Sequence, residues 1–149
     1  MRKNSGLSRM LHVLIHMGRH DGTMTSEMIG RMLDANPVVI RRTMAGLRDQ
    51  GYVSSVKGHG GGWKLTRPLA ELTLLDIYRA VGEPSMFAVG PAYDMPGCKI
   101  EQAVNATLDE VLTEAEQLLR NRFAAVTLAD VAETFPSPPE LDGNACASS

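Results

Sequence analysis

Leu7, Met10, Leu11, Leu14 and Ile15 recur at three- and four-residue spacing, which predicts an amphipathic helix over residues 5–19, stopped by Asp21-Gly22. Thr25 or Ser26 suits the cap of a second helix, with Glu27 favourably placed in its first turn. Met28, Ile29, Met32 and Leu33 form the stripe expected to be buried. After the tight connection Asp34-Ala35, Asn36 is a good N-cap and Pro37 suits the first position of a third helix. Its inner face is Ile40, Met44 and Leu47 with Val39 beside them. Its outer face presents Val38, Arg41, Arg42, Ala45 and Arg48, and Gly51 stops it.

Behind this helix the period changes from helical spacing to alternation. Residues 52–56 and 63–66 read as two strands of a hairpin. Its tip, Gly58-His59-Gly60-Gly61-Gly62, holds four glycines in five residues, with Lys57 and Lys64 on either side. A glycine tip accepts positive φ and lets backbone come close to a ligand. A phosphate-cradling loop of a nucleotide enzyme would need a helix opening directly after the glycines, whereas Trp63-Lys64-Leu65-Thr66 continues as a strand. The pattern favours a DNA-binding wing, with Trp63 packing beneath it.

Past Pro68, Leu72, Leu74, Leu75, Ile77, Tyr78 and Val81 make a short apolar helix ending near Gly82-Glu83-Pro84. Residues 85–97, broken by Pro91, Pro96 and two glycines, read as a loop. A helix over residues 99–123 then carries a sustained apolar stripe that includes Ile100, Val104, Leu108, Val111, Leu112 and Leu118. So long a helix in a small protein has too little of its own chain to cover that stripe, so a second copy is the expected cover. Thr127 caps a last helix over residues 128–135, and the Pro- and Ser-rich tail 136–149 reads as disordered. The expected fold is mainly α with a small β-wing, a winged helix-turn-helix plus a long dimerisation helix. The domain reading is a DNA-binding part at 1–67, a helical dimerisation and sensor region at 68–135, and the tail.

Charge sharpens this picture. Residues 1–67 hold 11 Lys/Arg against 4 Asp/Glu, a balance of +7, while residues 68–149 hold 4 against 13, a balance of −9. A basic half beside an acidic half suits a nucleic-acid-binding part joined to one that stays off nucleic acid. The 149 residues contain no run of about 18 apolar residues and no apolar signal core, so no membrane partner or export is expected and the cytoplasm is the default. Cys98 and Cys146 build neither a disulfide framework nor a zinc site. With no Ser/His/Asp order, no Gly-framed carboxylate pair and no phosphate loop, an enzyme is not expected.

Several motifs together resemble the Rrf2 family of bacterial winged-helix transcription regulators. They are Asn36-Pro37-Val38-Val39-Ile40-Arg41-Arg42, Leu47 with Gly51-Tyr52-Val53, Gly58 with Gly60-Gly61-Gly62-Trp63 and Leu65, and Leu72-Thr73-Leu74-Leu75-Asp76-Ile77. Cys98-Lys99-Ile100, Glu114-Ala115-Glu116 and Thr127-Leu128-Ala129-Asp130-Val131 extend the match over nearly everything but the tail. The resemblance implies a homodimer crossed by the long helix, bound to a palindromic operator in double-stranded DNA at the bacterial nucleoid, with repression the expected effect. Family members that carry an iron–sulfur cluster have three cysteines in the loop before that helix. Here the loop region offers Cys98 alone, so the chain looks like the cluster-free branch, and no cofactor is expected.

The candidate DNA contacts are Arg41, Arg42 and Arg48, joined by Asn36, Val38 and Thr43 at the groove and by Lys57, His59, Gly60 and Lys64 on the wing. Cys98, near a helix start that lowers a thiol pKa, is the candidate redox sensor, and an inert packed cysteine is the plain alternative. Cys146 has no expected role. His12, His16 and His20 lie four apart, a spacing that can bind metal but more often marks a solvated or interface face, and no metal is assigned. One alternative regulator would hold an iron–sulfur cluster or metal between His12 and Cys98 of the partner subunit. An alternative of another class is a winged-helix module that binds proteins.

Overall fold

Side-chain caps start four of the six α-helices in residues 4–134, the part of the chain described by this computed structural model. In chain order the elements are α1 Gly6–Arg19, α2 Ser26–Leu33, α3 Pro37–Asp49, β1 Val53–Val56, β2 Gly62–Leu65, a 3-10 turn Leu69–Glu71, α4 Leu74–Ala80, α5 Lys99–Ala125 and α6 Leu128–Glu133. The Thr25 hydroxyl accepts from the Met28 N–H at 3.1 Å to start α2. Asn36 Oδ1 accepts from Val38 N–H at 2.8 Å to start α3, with Pro37 at its first position. Thr73 with Asp76, and Thr127 with Asp130, form reciprocal capping boxes on α4 and α6. Each such cap is worth about 1 kcal/mol. Between α2 and α3 the chain turns on Asp34, whose φ of 49° is left-handed.

A single apolar cluster joins these elements. It takes Val13, Leu14 and Met17 from α1, Ile29 from α2, Ile40, Met44 and Leu47 from α3, and Val53 and Trp63 from the hairpin. Leu72, Ile77 and Leu128, from beyond Pro68, complete it. Each fully buried aliphatic side chain contributes roughly 1.5–3 kcal/mol. The buried face of α1 is wider than the stripe expected from spacing, because Val13 and Met17 join Met10 and Leu14. The cause is that α4, α6 and β2 all pack on this helix. Met28 corrects the expectation for α2: it is exposed, since that helix turns Ile29 and Gly30 inward against its neighbour α3. Val39 is likewise on the surface of α3.

β1 and β2 pair antiparallel, with Val53 opposite Leu65 and Val56 opposite Gly62. Met24 adds a third rung, exchanging backbone hydrogen bonds with Trp63 at 2.9 and 2.8 Å. After α5 the chain returns to α4, where Leu128 N–H donates to Leu72 O at 2.8 Å. α5 has no buried residue. Its later turns lean on α4, with the Phe123 ring 5.9 Å from that of Tyr78 and Arg120 bridging Glu83 and Glu116. Among the described residues no helix is long and apolar enough to cross a membrane. The last helix stops at Glu133 instead of reaching 135; the tail 136–149 and Cys146 lie outside the described residues.

Candidate nucleic-acid interface

The inner face of α3 is fixed by Ile40, Met44 and Leu47, which leaves Arg41, Arg42 and Arg48 to solvent. Val38, Arg41, Arg42 and Arg48 are exposed there, and Thr43 is half-buried. Their surroundings differ. The Arg41 guanidinium meets Glu27 Oε1 of α2 at 2.7 Å, a pair in which both side chains stay more than half exposed. Backbone hydrogen bonding at the start of α2 and then the Arg41 charge hold the Glu27 carboxyl below its ordinary range. Arg48 makes a long contact to Asp49 at 3.4 Å. Arg42 forms no ion pair among the described residues. Thr43 donates its hydroxyl to Val39 O at 3.0 Å, and Asn36 uses its Oδ1 as the helix cap, leaving its amide NH₂ at the exposed start of α3.

Beside this helix, Lys57, His59 and Gly60 are exposed on the turn of the hairpin, and Lys64 on the outer side of β2. Gly61 N–H closes the turn onto Gly58 O at 3.0 Å. Gly60 has a φ of 74°, where a side chain would be strained. At Gly62 a Cβ would stand 2.7 Å from Met24 O, so only glycine lets β2 lie against the strand-like residue 24. The wing is therefore tied to the scaffold instead of hanging free. The Thr23 hydroxyl lies 2.8 Å from Gly60 O and 3.1 Å from Gly61 O, and buried Trp63 donates its Nε1–H to buried Ser26 Oγ at 3.0 Å. Trp63 thus packs under the wing, as expected. Thr23, which helps lock the wing, is absent from the residues singled out by sequence, and Ser26 enters there only as a possible cap of α2, a role that Thr25 takes.

The remaining candidates lie away from this surface. Cys98 is half-buried at the N-cap of α5, its carbonyl accepting from Gln102 N–H at 3.0 Å and its side chain making no cap hydrogen bond. The preceding loop is strapped to the same helix: Glu101 accepts from Met95 N–H at 2.9 Å, Gln102 donates to Pro96 O, and Asn105 donates to Ala92 O. Along α5, Ile100, Val104, Val111 and Leu118 are exposed, while Leu108 and Leu112 are half-buried. On α1, the Nε2 atoms of His12 and His16 approach to 3.0 Å, whereas His20 leaves its Nδ1 buried without a partner. Among the described residues no three His, Cys, Asp or Glu gather as a metal site.

Comparison with known proteins agrees with this architecture. The family model Rrf2, described as an iron-dependent transcriptional regulator, matches residues 4–134. YwnA of Bacillus subtilis, named as an HTH-type transcriptional regulator, is 31% identical over 129 residues, covering 86% of this chain and 95% of its own. A solved transcriptional-regulator structure from Lactobacillus plantarum superposes with a TM-score of 0.71 at 26% identity, over 87% of this chain and 88% of that one. The oxidized form of Staphylococcus aureus CymR, at 19% identity, shares the fold with a TM-score of 0.67, over 92% and 100% of the two chains.

Proposed function

The chain belongs to the Rrf2 family of transcriptional regulators, and on that footing we propose that it is a homodimeric repressor that grips a palindromic operator through α3 and the wing. One observation carries the reading: the outer face of α3 is lined with arginines beside a basic glycine turn fastened to the α1–α2 linker. Arg41, Arg42 and Arg48, with Asn36, Val38 and Thr43, supply the groove contacts. A good bidentate arginine–guanine pair discriminates by roughly 1–3 kcal/mol. Lys57, His59 and Lys64 meet phosphate, and the glycines permit close approach. The dimer forms along α5, whose uncovered Ile100, Val104, Val111 and Leu118 would otherwise face water.

Release is assigned to Cys98. Its N-cap position places the sulfur beside the first turn of α5, so oxidation there would disturb the start of the dimer helix and with it the spacing of the two α3 helices. The likeness in fold to a CymR solved in an oxidized form supports that reading. We infer no iron–sulfur cluster from the sequence around α5: such a cluster generally needs about four protein ligands, and the loop before this helix offers Cys98 alone.

The test is a retardation assay on the chain's own promoter. With about 6–10 phosphates neutralised, affinity should fall ~10³–10⁵-fold between 50 and 200 mM salt. Absence of binding at low salt would overturn the regulator reading. DNA binding unaltered by Arg41→Ala and Arg42→Ala, with a stable protein complex found instead, would favour the protein-binding module.

A further inference from the structure

The three histidines spaced four apart are not equivalent. His12 and His16 stand one turn apart, half-buried, with their rings edge-to-face at 4.7 Å between centroids. Their Nε2 atoms converge to 3.0 Å. His20 follows the last helical residue as the extended C-cap of α1, and its Nδ1 is buried without a hydrogen-bond partner.

We propose that His12 and His16 form a bis-imidazole site for a first-row divalent ion of the copper, nickel and zinc class. The geometry fits with little adjustment. Metal–imidazole bonds of about 2.0–2.1 Å with nitrogens 3.0 Å apart give an N–metal–N angle of about 94°. That is close to the cis angle of a square-planar or octahedral ion, and opening the pair by about 0.3 Å gives the tetrahedral angle.

The two imidazoles share a single hydrogen bond between their Nε2 atoms, whereas one dication in its place takes a lone pair from each ring at once.

The scaffold is stiff. Both ligands lie on one regular helix whose opposite face, Met10, Val13, Leu14 and Met17, is locked in the core. The nitrogens are therefore held at a fixed spacing before any ion arrives. Water or other donors complete the coordination. The site uses no residue of α3 or the wing, and it does not rest on the DNA-binding reading.

The experiment titrates the full-length protein, first stripped with a chelator, with Cu(II), Ni(II), Zn(II) and Mg(II) salts. Heat of binding and Tm are followed together. One ion should bind per chain, copper most tightly, with no response to magnesium up to millimolar concentration. At a hundredfold excess over Kd the Tm should rise by roughly 5–10 °C. His12→Asn and His16→Asn should each weaken binding at least tenfold, while His20→Gln and His59→Gln leave it unchanged. Electron paramagnetic resonance of the copper form should show at least two coordinated nitrogens, and one fewer in His16→Asn. Equal copper affinity in wild type and His16→Asn overturns the proposal, as does an unchanged nitrogen count. So does the lack of any ion response in a folded wild type. Retained operator binding in such a protein would show that the family reading stands by itself.

Discussion

Arg41 of α3 is held by Glu27 of α2 at 2.7 Å, so a cation we propose for DNA contact is already paired across the helix-turn-helix. The pair is exposed, and such pairs add little to stability. On the proposed reading Glu27 acts mainly as a negative charge close to the incoming phosphates. Glu27→Gln should tighten DNA binding a few-fold at low salt. The gain should vanish at high salt. Unchanged or weaker binding in a titrated retardation assay would mean that Glu27 instead positions Arg41 productively.

Ser26 is the buried acceptor for Trp63 Nε1–H. Ser26→Ala leaves that donor unpaired, at a cost of about 1–3 kcal/mol. For a chain of this size, urea unfolding should show that loss, with Tm lowered by roughly 3–10 °C. A stability change below a few tenths of a kcal/mol would show that water replaces the hydroxyl.

Gly62 combines a φ of 146° with a carbonyl 2.7 Å from where a Cβ would stand. Gly62→Ala should cost about 1–3 kcal/mol through backbone strain alone and push the wing away from Met24. DNA affinity should fall with it, whereas Gly90→Ala, in open space at an ordinary φ, should be neutral. Equal DNA affinity in the two variants would separate wing placement from binding.

Cys98→Ser separates stability from sensing. Serine is a good N-cap and the cysteine side chain makes no cap hydrogen bond, so Tm should hold or rise by a few degrees, reflecting up to about 1 kcal/mol. Operator binding by the variant should ignore diamide and peroxide, while the wild type releases DNA. The same oxidant response in both proteins would remove Cys98 from the mechanism.

Val104→Glu with Leu118→Glu places two charges on the uncovered face of α5. Light scattering should show a monomer, and circular dichroism should retain the helix content because neither side chain belongs to the core. A dimer surviving both charges would locate the interface elsewhere.

The elements themselves were readable because they depend on local physics. Asn36-Pro37 starts α3 by a side-chain cap and a preset φ, and Trp63-Lys64-Leu65 alternates because a pleat does. The apolar stripe of α5 follows from spacing in the same way. Which side of an element would be covered was less readable. Met28 and Leu7 both fit a helical stripe, yet Met28 faces solvent and Leu7 packs on the core, because neighbours distant in sequence decide where cover exists.

By itself, then, the sequence determined the helix-turn-helix, the wing, the basic half and the identity of the arginines on α3, since capping, periodicity and charge act over a few residues. The tertiary structure decided how those parts are held. It joined Thr23 to Gly60, Ser26 to Trp63 and Glu27 to Arg41, and it brought Leu128 under Leu72 across all of α5. It also split the histidine stripe by ending α1 at Arg19, so that His12 and His16 pair within the helix and His20 follows it. The contacts among the helices and the hairpin depend on packing between distant segments and on rotamer choice, which residue spacing along the chain does not encode.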